Sequence, residues 1–172
     1  MKLTRRDVLA TAACLTGSLL TRGVASAGVT LQPVLAYGDW LNGRPTAGGL
    51  RDKVVLLDVF TFACYNCQNV TPNLRALHRS KSSSDFVIVG VHTPETPYER
   101  DRKNVVENLA RLGITWPVAV DNDSRLWDAY GIDAWPTQLI FDRSGHLRKT
   151  IVGDSQDALV DATIASLLSK GA

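Results

Sequence analysis

Cys64-Tyr65-Asn66-Cys67 places two thiols just after the apolar run Val54-Val55-Leu56-Leu57-Asp58-Val59-Phe60 and just ahead of an amphipathic stretch with helical spacing. A helix that begins at Cys64 sets its sulfur among unpaired N–H groups at the positive end of the helix dipole, which favours a thiolate. Cys67 then lies one turn further on, near enough to close a disulfide with Cys64. One exposed nucleophilic thiol and one resolving thiol are the minimum apparatus for thiol–disulfide exchange. A C-x-x-C pair is also half of many zinc sites. Here the other ligands are missing: Cys14 falls in an N-terminal leader, and His78, His92 and His146 are scattered without ligand spacing. A c-type haem site needs histidine after the second cysteine, and this chain has Gln68. A purely structural disulfide between such close cysteines would remove almost no chain entropy.

The first 27 residues read as a cleaved export signal rather than part of the fold. Lys2, Arg5 and Arg6 form a basic start, Val8 to Leu20 is mildly apolar, and Ala25-Ser26-Ala27 supplies a small-x-small cleavage pattern ahead of Gly28. The run Thr4-Arg5-Arg6-Asp7-Val8-Leu9 looks like a twin-arginine signal with Val8 where Phe is usual. An ordinary secretory signal with a chance arginine pair is the alternative. A lipoprotein reading of Cys14 fails because Thr11 stands where an aliphatic residue is wanted. Nothing later in the chain supplies the roughly 20 predominantly apolar residues that spanning requires. The expected location is the periplasm, where dithiols meet oxidised partners. Of 19 Lys+Arg and 17 Asp+Glu, the leader carries four and one, leaving 15 against 16. The remainder is near neutral, so the basic balance of the whole chain argues for no nucleic-acid partner.

Residues 28–172 suit one domain. Gly28 to Lys53, rich in Gly, Pro and Asn, reads as an irregular extension. Val54 to Phe60 and Phe86 to Val91 are continuous apolar runs, as expected of strands buried on both faces of a parallel sheet. Tyr65 to Arg79 has helical spacing interrupted by Pro72, which predicts a kink. Tyr98 to Leu112 reads as a charged amphipathic helix, Pro117 to Val120 as a short strand, and Ser124 to Tyr130 as a helix capped by Ser124. Thr137 to Asp142 and Leu147 to Val152 form a hairpin through Arg143-Ser144-Gly145-His146, and Ser155 to Lys170 a final helix. The order predicts an α/β domain whose sheet ends in an antiparallel hairpin.

These residues resemble the thioredoxin fold, and within it the periplasmic TlpA/ResA-like thiol–disulfide oxidoreductases, with Phe60 to Pro136 most similar to the thioredoxin-like domain of DipZ-type proteins. The C-x-x-C follows the first core strand, Asp58 lies six residues before Cys64, Pro72 lies eight after it, and Trp135-Pro136-Thr137 precedes the penultimate strand. In that family these are the places of a buried carboxylate, a helix kink and a cis-proline. The segment Gly90-Val91-His92-Thr93-Pro94-Glu95, with the helix and strand after it, looks like a TlpA-like insert, and Glu95 falls on the acidic residue that ResA-like proteins set near their cysteines. Ala63 stands where the family usually has tryptophan, and Tyr-Asn replaces the Gly-Pro of thioredoxin, so a redox potential does not carry over. The resemblance implies a central mixed sheet with helices on both faces.

It also implies roles. Cys64 attacks a partner disulfide and Cys67 resolves the mixed disulfide. Asp58, costly as an unpaired buried charge, accepts the proton from Cys67, or else is held by a backbone group or lysine. Glu95 shares that proton traffic or caps the helix near Tyr98. A cis Pro136 holds Trp135 and Thr137 against the cysteines, where an extended substrate segment pairs as an added strand. Trp40, Trp116 and Trp127 read as core aromatics and His92 as structural. No cofactor is implied. The partners are protein thiols and disulfides, with a membrane electron donor of the CcdA/DsbD type, and the protein is expected to act as a monomeric reductant. Two rivals remain open. Thr61-Phe62-Ala63-Cys64 satisfies the T-x-x-C of thiol peroxidases, although Leu57 stands where those enzymes have proline. A copper carrier would use Cys64 and Cys67 with His92 as a third ligand.

Overall fold

A computed structural model describes residues 28–81 and 85–170, so the expected export signal, Cys14 and the polar residues 82–84 lie outside the described residues. The elements in order are α1 (Gln32–Ala36), β1 (Trp40–Leu41), α2 (Ala47–Leu50), β2 (Val54–Phe60), α3 (Tyr65–Lys81), β3 (Phe86–His92), a 3-10 turn (Pro97–Arg100), α4 (Arg102–Leu112), β4 (Val118–Val120), α5 (Arg125–Tyr130), β5 (Thr137–Phe141), β6 (Leu147–Val152) and α6 (Asp157–Ser169). One six-stranded sheet runs β1-β4-β3-β2-β5-β6. β2 pairs parallel with β3 and antiparallel with β5, so the strand that leads to the cysteines lies between two partners.

All seven residues of β2 are buried, because both faces of the sheet are covered. Alternation sends Val54, Leu56 and Phe60 into a core with Val70 and Leu74 of α3, Leu109 of α4 and Ile164 of α6. Val55, Leu57 and Val59 enter the opposite core with Val34, Leu50, Leu126 and Tyr130. Asp58 shares the parity of the first set and therefore lies on the α3 face. The expected mixed sheet with helices on both faces is the observed one, with α4 and β4 inserted between β3 and α5.

Three expectations are corrected. The extension Gly28 to Lys53 is not irregular: it holds α1, β1 and α2, and β1 pairs antiparallel with β4 through Trp40↔Ala119 and Leu41↔Val118. Elements of two to five residues leave no periodic signal to read. The helix expected over Tyr98 to Leu112 is broken at Asp101, whose extended backbone (φ −70°, ψ 116°) starts α4 while its carboxylate accepts Lys103 N–H at 2.8 Å. Ser124 makes no capping bond with its side chain. Buried Asp121 does so instead, accepting the N–H groups of Leu126 and Trp127, each at 3.0 Å.

Candidate active site

Cys64 immediately precedes α3 and its carbonyl accepts the Gln68 N–H at 3.1 Å, so it occupies the N-cap position. Its side chain behaves as a cap: the Cys67 N–H donates to Cys64 Sγ at 3.4 Å. Cys64 is half-buried and Cys67 buried, so the first cysteine of the pair is the more accessible of the two. Two side-chain bonds fasten this turn: Gln68 Nε2 donates to Phe62 O at 2.9 Å and Thr71 Oγ1 to Cys67 O at 2.9 Å. Pro72 follows within the helix, where it has no N–H to give the Gln68 carbonyl.

Burial pushes the Cys67 thiol well up, and its hydrogen bond with Cys64 and the nearby charge of Asp58 push the same way, against a backbone bond from Thr61. Asp58 is 2% exposed, paired in register with Gly90 and Gln138, and its Oδ1 has no hydrogen-bond partner among the described residues. Burial raises its carboxyl from 3.8 to about 7, with a side-chain bond from Gln138 opposing the rise. A carboxyl that is half ionised near neutrality, electrostatically coupled to a thiol that resists ionising, is suited to taking that thiol's proton.

The Trp135–Pro136 peptide bond is cis. Thr137 begins β5 opposite Val59 and its hydroxyl donates to Ala134 O at 2.7 Å. Half-buried Trp135 packs on the same core that half-buried Cys64 joins. Its ring lies 4.3 Å from that of Trp127, which packs on the opposite core as expected and supports the proline loop as well. Trp116, by contrast, is 1% exposed, and His92 is fully enclosed, stacked on Phe62 at 5.2 Å and edge-on to Phe60 at 5.6 Å.

Glu95 is the site residue that the structure displaces. Its side chain is exposed, and it caps no helix; its N–H donates to Glu99 Oε2 at 3.1 Å. The acid against the cysteine loop is Glu99, fully buried. One of its oxygens accepts the Thr61 hydroxyl and the Ala63 N–H (3.1 Å). The other accepts the Thr96 N–H (2.8 Å) and hydroxyl (3.1 Å) as well as Glu95 N–H. The sequence held a signal for half of this, since Thr96-x-x-Glu99 is a capping-box pattern. Its reach to Thr61 and Ala63 carried no local signal. Among the described residues, no group of three or more His, Cys, Asp or Glu side chains could hold a metal ion.

The dithiol at the helix start, the buried carboxyl of Asp58 and the cis Trp135–Pro136 bond all fall within residues 52–147, which a family model described as Thioredoxin-like matches. The chain belongs to the thioredoxin-like family. This thioredoxin-like chain is 33% identical over 134 residues to the protein DipZ of Mycobacterium tuberculosis, which uses 76% of this chain but 19% of DipZ. It therefore spans about a fifth of that curated relative. It is 29% identical over 132 residues to the thiol-disulfide oxidoreductase YkuV of Bacillus subtilis, covering 76% of this chain and 88% of YkuV. A thiol-disulfide isomerase from Corynebacterium glutamicum superposes with a TM-score of 0.70 at 27% identity, covering 78% of this chain and 94% of that one. The resemblance to the thioredoxin fold and to DipZ-type proteins read from the sequence agrees with these relatives, of which YkuV is named a thiol-disulfide oxidoreductase and the Corynebacterium glutamicum protein a thiol-disulfide isomerase.

Proposed function

We propose that the chain works in the periplasm as a monomeric protein thiol–disulfide reductant, resupplied with electrons by a membrane thiol carrier of the CcdA/DsbD type. The observation that carries the chemistry is half-buried Cys64 at the N-cap of α3, with the Cys67 N–H donated to its sulfur and Cys67 itself buried. The Cys64 thiolate attacks one sulfur of a partner disulfide, forming a mixed disulfide and releasing the first partner thiolate. Cys67 then gives its proton to Asp58 and attacks Cys64 Sγ. The second partner thiolate leaves and takes up a proton. The partner has gained two electrons, and the protein holds a Cys64–Cys67 disulfide, which a dithiol donor reduces in turn. Trp135, cis Pro136 and Thr137 form the wall against which an extended partner segment lies. The export signal read in residues 1–27 supports the periplasmic setting, and the membrane donor is what the resemblance to TlpA/ResA-like proteins implies.

Both rivals meet an obstacle. The Thr61 hydroxyl is buried and donated to Glu99, so it is not offered to a peroxide at Cys64. His92 is closed in by Phe60 and Phe62, out of reach as a third copper ligand. The test is reduction of a disulfide-bonded protein by residues 28–172. Cys64→Ser is expected to abolish it, and Cys67→Ser to accumulate the mixed disulfide on Cys64 without turnover. Turnover that persists in Cys64→Ser would remove the reading. An equilibrium potential near the thioredoxin figure of about −270 mV supports a reductant, whereas one near about −120 mV reverses the direction.

A further inference from the structure

The loop between β2 and α3 has little backbone support of its own. The last ladder bond beyond β2 is Thr93 N–H to Phe60 O at 3.0 Å, and Cys64 N–H reaches Thr61 O only at 3.4 Å. Thr61, Phe62 and Ala63 are otherwise held by side chains. Gln68 grips Phe62 O from the helix, and Glu99 grips Thr61 and Ala63 from the inserted segment. Glu99 is fully buried, and five donors converge on its carboxylate. Burial alone would push this carboxyl up, yet the bonds from Thr61, Ala63 and Thr96 outweigh it and hold the group below the usual carboxylate range. It is thus an ionised clamp between two segments, one of them ending next to the nucleophile.

We propose that Glu99 is a positioning residue for the thiol pair: its carboxylate ties Thr61 and Ala63 to the Thr96–Arg100 turn and so sets the Cys64 sulfur at the N-cap of α3. The proposal deepens the exchange reading and rests on it for its biological meaning, but the geometry it asserts is testable without any partner protein. The chemistry of the clamp explains why glutamate is required. Each oxygen is met by at least one backbone N–H, from Ala63 on one side and from Glu95 and Thr96 on the other, so the amide NH2 of a glutamine faces a donor whichever way it is turned and only a threonine hydroxyl can turn to accept from it. Glu99→Gln keeps the size but loses the charge and the backbone N–H bonding on one side of the clamp.

The experiment measures the second-order rate of iodoacetamide alkylation of Cys64 across pH, in a Cys67→Ser background, with and without Glu99→Gln. Alongside it, the glutathione equilibrium constant of the intact dithiol is compared with that of its Glu99→Gln form. The expected result is an alkylation profile displaced along pH, with a rate changed at least about threefold, and a matching change in the equilibrium constant, since a lost charge-assisted bond is worth more than that. Thr61→Val, which removes one donor on the cysteine side and leaves the Thr96 side whole, should move both readouts in the same direction by less. It serves if Glu99→Gln fails to fold. A lowered unfolding midpoint with unchanged alkylation profile and glutathione equilibrium would overturn the proposal, leaving Glu99 as mere scaffolding. Failure to reduce protein disulfides in the parent protein would instead sink the exchange reading while leaving the positioning result intact.

Discussion

Replacing Asp58 by Asn should change how the stability of the dithiol form depends on pH, and the size of the change can be worked from two buried groups with opposite signs. Burial raises Asp58 from 3.8 to about 7. Between those values the folded protein keeps a proton that the unfolded chain releases, so stability falls as pH rises, by roughly 1.4 kcal/mol per pH unit and about 4 kcal/mol in all. Burial lowers His92 from 6.5 to about 4, with the charge of Glu99 opposing. Across that window the unfolded chain takes a proton that the folded protein refuses, so stability rises with pH at the same rate, about 3 kcal/mol in all. The two contributions nearly cancel between about pH 4 and 6.5, and the parent protein should show little net slope from them. Asp58→Asn removes one arm and should leave stability rising by about 3 kcal/mol toward neutral pH; His92→Phe should leave it falling by about 4 kcal/mol, and the double variant should lose both of these slopes. Urea denaturation from pH 4.5 to 8 with a phosphine reductant present reads all four proteins. An Asp58→Asn curve parallel to that of the parent would refute the reasoning, because it would mean that the carboxyl titrates alike in the folded and unfolded chain.

Two further predictions follow from the site's surroundings. Trp127→Ala withdraws the ring that lies 4.3 Å from Trp135; such a pair is worth about 0.5–1.5 kcal/mol. The KM for a protein disulfide should therefore rise about twofold to tenfold, with the glutathione equilibrium unchanged, as steady-state kinetics and a redox titration would show. Asp121→Ala strips the acceptor from the Thr93 hydroxyl and from the N–H groups of Leu126 and Trp127. It should cost at least about 3 kcal/mol in urea unfolding, the loss of several charge-assisted bonds at a buried site.

The reactive pair, its place at a helix start and the order of the long elements were legible in the sequence because each is governed by local rules. Continuous apolar runs mark strands covered on both faces, apolar residues three and four apart mark helices, and a cysteine pair at their junction needs no distant partner to be noticed. Asp58 could be picked out as a carboxylate in an apolar strand, but its depth between α3 and the sheet, and the lack of a partner for Oδ1, belong to the packed layers. Glu95 and Glu99 lie one helical turn apart in the same polar segment, and residue type cannot rank them. The 3-10 turn over Pro97–Arg100 decided between them by turning Glu99 inward beneath Thr61 and Ala63 and leaving Glu95 exposed. Likewise Trp127 and Trp135 meet only because α5 and the proline loop fold back on each other. Local chemistry was written in the chain. Which charge is buried, which is solvated and which aromatic rings touch depend on contacts between segments far apart in sequence, and those exist only once the sheet and its two helix layers have assembled.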